Sequence, residues 1–89
     1  MATAEEITRD FTACGHSVDL INGYVAGTYP TMENETTAER KETVAINVEH
    51  LVLQSAKDWY TSDSVSRTAP ANKTAIASAI TAGNTYVAA

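Results

Sequence analysis

With a single cysteine, Cys14, the chain cannot close an internal disulfide, which excludes the disulfide-dense scaffold of small secreted domains. It lacks a basic stretch followed by an apolar one near its start. No apolar run approaches the roughly 18 residues of a membrane span. Bases are scarce: six Lys and Arg stand against eleven Asp and Glu, for a net charge of −5. Without a positive stripe to meet a phosphate backbone, nucleic acid is not an expected partner. A glycine-rich phosphate loop, a dinucleotide fingerprint and an H-E-x-x-H pair are all missing. The two Asn-x-Thr sequons, at Asn34 and Asn72, read as chance in a Thr-rich chain without a secretory signal. These absences point to a cytoplasmic protein with no membrane partner and no small-molecule substrate.

What is present is ordinary for a folded domain: 44% hydrophobic and 19% charged residues in a chain of 89. That length makes one domain, residues 1–89, which buries only about 60–65% of the surface its unfolded form exposes. Its core is thin, so either the packing is regular or other copies lend surface. The charge is uneven. Residues 1–42 hold eight acids (Glu5, Glu6, Asp10, Asp19, Glu33, Glu35, Glu39, Glu42) against the three bases Arg9, Arg40 and Lys41. Residues 43–89 balance three against three and are rich in Ala, Ser and Thr. An acidic half can steer a protein toward a basic partner, although a solvated acidic surface gives the same pattern.

Helical spacing dominates. Ile7, Phe11, Cys14, Val18, Ile21 and Val25 follow one another at 4-3-4-3-4, the stripe of a helix meeting a partner helix. Thr3-Ala4-Glu5-Glu6 fits a capping box at its start, and Gly27 with Pro30 beyond marks its end, which predicts a helix over 4–26. Gly15 and Gly23 inside it fit either a close neighbouring helix or plain surface positions. Thr36-Thr37-Ala38-Glu39 is a second capping box and opens a helix over about 37–60. Its main stripe is Val44/Ala45, Val48, Leu51/Val52, Ala56 and Trp59. A second line, Ile46, Leu53 and Tyr60, recurs every seven positions on a different face, and from Thr43 to Ala56 the only charge is Glu49. A helix apolar on more than one side is expected to be covered on more than one side. That makes it the central element, with the first helix on one face and the third, or another subunit, on the other. Pro70 suits the first turn of the third helix, over about 70–83 or longer, with Ile76, Ile80 and Val87 on one line and Ala71, Ala75, Ala79 and Gly83 on another. The fold class is all-α: a small bundle built on an antiparallel helix hairpin plus a shorter C-terminal helix.

Candidates for chemistry are few. Cys14, His16 and His50 could suggest a metal, with His50 near the level of Cys14 in an antiparallel hairpin. Positions 14 and 16, however, lie roughly 200° apart around a helix, so both cannot face one ion. Cys14 sits mid-stripe and reads as a small core residue, not a nucleophile. Ser17 or Ser55 near a His carries no signal by itself, and the carboxylates gather at helix starts, where capping accounts for them. No catalytic, cofactor or metal residues are assigned. Trp59 reads as core and Tyr60 as contact, while Tyr24 and Tyr29 fit either role.

The stretches GHSVDLINGYVAGTYP (15–30), NVEHLVLQSAKDWYTSD (47–63) and AITAGNTYVAA (79–89), taken together, resemble small helical proteins, without assigned activity, encoded by tailed phages of marine bacteria, phages of cyanobacteria included. The resemblance implies a phage-encoded protein made in the host cytoplasm, with the virion as one destination. It carries over no functional residues. The expectation is a non-enzymatic structural or interaction protein that self-associates, or binds another phage or host protein, through Ile46, Leu53, Tyr60, Ile76 and Ile80. The alternative is a small acidic inhibitor that binds a host protein through residues 1–42.

Overall fold

The computed structural model describes residues 4–57 and 73–89, with side chains throughout except at positions 4, 6–8 and 11. Helix α1 runs Ala4–Ala26, a 3-10 turn follows at Pro30–Asn34, α2 spans Thr37–Ser55 and α3 spans Lys73–Ala88. Each helix packs against both others. The all-α bundle expected from the spacing is what forms.

The turns between α1 and α2 follow from particular residues. Gly27 adopts φ +76, a left-handed conformation that only glycine enters at little cost. It lets the Gly27 amide donate to the Tyr24 carbonyl at 3.1 Å and the Thr28 amide to the Gly23 carbonyl at 2.9 Å. These two bonds satisfy carbonyls that a helix end otherwise leaves open. Tyr29 then folds back over α1. A Cβ at position 23 would lie 2.7 Å from Tyr29 Cδ1, so the loop's own tyrosine, not a neighbouring helix, explains that glycine. Arg40 locks the 3-10 turn by donating from Nε and a terminal guanidinium nitrogen to the Met32 carbonyl, at 2.9 and 2.6 Å. The capping box of α2 is complete: Thr36 Oγ1 accepts from the Glu39 amide at 3.2 Å, and Glu39 Oε1 accepts from the Thr36 amide at 2.8 Å. The first expected box, at Thr3, falls outside the described residues.

The core is Cys14, Val18, Ile21 and Tyr24 from α1, Met32 from the turn, Val44, Val48 and Leu51 from α2, and Ile76 and Ala79 from α3. Gly83 completes it by letting α3 approach closely. A Cβ there would collide with Val48 Cγ2 and stand 3.4 Å from both Ile21 and Val44. The small-residue line of the third helix thus serves helix packing, as its spacing suggests, and the helix continues past Gly83.

Four expectations need correction. Helix α2 ends at Ser55 and not near 60: the Ser55 hydroxyl donates to the Val52 carbonyl at 2.9 Å, and the Lys57 amide turns back to Gln54 at 3.1 Å. Trp59, Tyr60 and Pro70 lie outside the described residues. Tyr24, and not Val25, closes the buried stripe, with Val25 48% exposed: the Tyr24 ring packs against Tyr29 and its hydroxyl is taken up by Glu35 and Thr31. Helix α2 does not carry α3 on its second apolar face, which leaves the other expected cover, another subunit. Its single buried line, Val44, Val48 and Leu51, faces the junction of α1 and α3, and its second apolar line is left outside. Ile76 is no contact residue; it is wholly buried in the chain's own core, because the α3 line that carries it faces the bundle axis.

Candidate interaction face

Residues Glu42, Ile46, Glu49 and Leu53 follow each other along α2 at 4-3-4, which places them on one line. That line is opposite the buried one. Leu53 lies two residues from Leu51 and Ile46 two from Val48, roughly 200° around the helix in each case. Ile46 is 60% exposed and Leu53 61%, and Val52 beside them is 46% exposed. The two aliphatic side chains stand about 10 Å apart along the axis. The acid between them, Glu49, is exposed, as is Glu42 one turn before Ile46. Neither acid has a base three or four positions away, where a helix would supply its salt-bridge partner. Among the described residues the ion pairs belong to Asp10, with Arg9 at 3.5 Å and Lys57 at 3.4 Å. The face therefore alternates acidic and apolar groups, and its acids form no ion pair among the described residues. Of the other expected contact residues, Ile80 is half-buried against the core.

A second arrangement has no counterpart among the expected site residues. Asp10, Ser17 and Tyr24 recur at seven-residue spacing on α1. Thr43, Asn47, His50, Gln54 and Lys57 follow at 4-3-4-3 along α2 and just past its end. The antiparallel pairing brings these lines together as a polar seam. At one end the Tyr24 hydroxyl donates to Glu35 Oε1 and meets Thr31 Oγ1 at 3.0 Å, while Thr43 Oγ1 donates to Glu35 Oε2 at 2.8 Å. Burial, and then the bond to Glu35, raises the Tyr24 phenol above its ordinary value. The Tyr24 and Tyr29 rings pack tilted, with centroids 5.5 Å apart. In the middle Ser17, almost wholly buried, meets Asn47 Oδ1 at 3.0 Å and His50 Nδ1 at 2.9 Å. At the far end Lys57 reaches Asp10. Gln54 Oε1 is buried between these bonds without a partner among the described residues.

The proton count decides what the Ser17–His50 contact can do. Asn47 Nδ2 donates to the Thr43 carbonyl at 2.9 Å, which orients the amide and turns Oδ1 toward Ser17. The one Ser17 proton goes to that oxygen, so His50 Nδ1 carries a proton and donates to Ser17 Oγ. A general base needs the reverse arrangement, a bare nitrogen facing the hydroxyl. This contact ties two helices and does not activate a serine.

Cys14 is fully buried, and burial, then the nearby Asp10 carboxylate, pushes its thiol up to about 11. That is opposite to the direction a reactive cysteine needs. His16 is exposed, away from the buried Cys14, and no three metal-ligating side chains come together among the described residues. Among these residues no helix is long and apolar enough to cross a membrane. Comparison with protein-family models, curated proteins and solved structures gives no match.

Proposed function

We propose that this chain is a non-enzymatic helical interaction protein that contributes the outer face of α2 to a larger assembly. One observation carries the reading: Ile46 and Leu53 stand more than half exposed on the face of α2 turned away from a core that already uses all three helices. An aliphatic pair on a line of its own, in a bundle whose small core makes every apolar residue count, is surface for a partner. The resemblance to phage proteins gives the reading a setting, as a minor virion or assembly component made in the host cytoplasm. The seam supports it from behind, because hydrogen bonds along the α1–α2 pairing hold the face on a fixed hairpin.

The test is absolute mass in solution by light scattering, at low and high salt, for the native chain and for Leu53→Asp. If copies join through this face, a salt-resistant oligomer becomes a helical monomer in the variant. If the native chain is already a monomer, the partner is another protein. An oligomer that Leu53→Asp leaves intact would place the assembly contact elsewhere. A variant without helicity would place Leu53 in the core and remove the reading.

A further inference from the structure

Resting on that reading, we infer that the partner is a different protein, which presents an amphipathic helix with Lys or Arg flanking its apolar stripe. Charge complementarity identifies the partner. Helices pack with axes about 8–10 Å apart. A second copy seated antiparallel on this face has its two-fold axis at Glu49–His50, midway between Ile46 and Leu53. In that register Ile46 lies level with Leu53 of the copy and Glu42 with its Lys57, a base that Asp10 already holds, while the two Glu49 carboxylates flank the axis and face each other. A parallel seating stacks Glu42 on Glu42 and Glu49 on Glu49. Both juxtapose like charges in a region losing water, where they repel most. Another surface of a second copy serves no better. Among the described residues Arg9 and Lys57 engage Asp10, Arg40 engages the Met32 carbonyl, Lys41 reaches the Ala89 carbonyl, and Lys73 is the one base of α3, at its start. These bases are spread over the molecule, and the one nearest the apolar pair, Lys57 four positions past Leu53, is held by Asp10.

A foreign helix with bases beside its apolar residues resolves both problems. Its apolar stripe covers Ile46, Leu53 and the edge of Val52. Its bases meet Glu42 and Glu49, which form no ion pair among the described residues. The 4-3-4 order of acid and aliphatic along α2 then specifies the alternation expected on the partner helix.

The experiment uses the full 89-residue chain, 15N-labelled. Two synthetic helical peptides share one apolar stripe, flanked by Lys in one and by Glu in the other. The Lys peptide should bind saturably and shift the amide signals of the Glu42–Leu53 stretch, leaving the acids of α1 unmoved. Its affinity should fall about tenfold or more from low to high salt. Glu42→Gln with Glu49→Gln should weaken it about fivefold, the effect of two rim pairs. Leu53→Asp adds negative charge yet should abolish binding, and Leu53→Gln, a milder change, should weaken it. Tighter binding by Leu53→Asp would mean diffuse attraction to an acidic protein and would overturn the inference. Equal binding of the two peptides at this face would overturn the basic partner and leave the interaction reading standing. A homodimer that Leu53→Asp or Leu53→Gln dissociates would also overturn the inference while supporting the reading. A monomer that binds neither peptide would overturn both.

Discussion

Replacing Gly83 by alanine tests how α3 seats against the hairpin, because two opposing effects of known size meet there. In an ordinary helix interior, glycine to alanine stabilises by about 0.8–1 kcal/mol. Here the added Cβ would collide with Val48 Cγ2, and Val48 is itself buried in the core. A helical valine has essentially one χ1 well, so the methyl cannot swing aside cheaply. The helices must separate instead, and overpacking of this kind costs about 1–3 kcal/mol. The steric term wins, for a net loss of about 1 kcal/mol. In a domain of this size that lowers Tm by about 4–8 °C. Urea unfolding followed by far-UV circular dichroism reads the change. Val48→Ala should relieve it, so that the double variant loses less than the two single losses added together. A Gly83→Ala chain that gains stability would refute the seating of α3 on Val48.

Other outcomes follow from the core and the seam. Cys14 is raised from 9.0 to about 11, so the neutral thiol is favoured in the folded state and its contribution is whole below pH 9. About 2–3 kcal/mol of stability should be lost as pH rises from about 9 to 11, with the raised Tyr24 adding to the loss. A pH titration of the urea midpoint checks this, and a thiol reagent should label native protein only as fast as it unfolds. Ser17→Ala leaves Asn47 Oδ1 and His50 Nδ1 without their shared hydroxyl and should cost about 1–2 kcal/mol, partly relieved by water. A double-mutant cycle with His50→Ala should give coupling near 1 kcal/mol, and strict additivity would dissolve that bond. Thr36→Ala removes the cap of α2 and should cost about 1 kcal/mol. Because the Thr36 amide and hydroxyl lower the Glu39 carboxyl, this cap holds above the ordinary carboxylate range and fades as pH falls through the lowered value.

The features readable from residue order are those whose partners lie close in sequence. The Thr36–Glu39 box, the stop at Gly27 and the lines Cys14–Val18–Ile21 and Val44–Val48–Leu51 each depend on neighbours within a turn or two. The seam depends on residues some thirty positions apart, Ser17 against Asn47 and His50. A lone Ser, Asn or His on a helix looks like surface until its partner is known. The spacing 10-17-24 against 43-47-50-54 is nevertheless a heptad-like signal, and scanning polar residues for periodicity would have found it. Gly23 is ambiguous in sequence for a related reason: a helical glycine fits a close neighbour or a plain surface position equally, and its partner here is a loop tyrosine. The open face of α2 was half legible. Ile46 and Leu53 stood out as a second line, but whether α3 covered it depended on the angle at which α3 packs.

Helix α2 has one buried face and one open face, and the most direct test of that division compares Leu53→Gln with Leu51→Gln in urea unfolding. Leu53 keeps little burial to lose, so its variant should remain folded with a loss below about 1 kcal/mol. Leu51 is wholly buried, and its variant should lose about 3 kcal/mol or more, or fail to fold. Equal, large losses at both positions would show that Leu53 is core, and would contradict the open face on which the proposed partner docks.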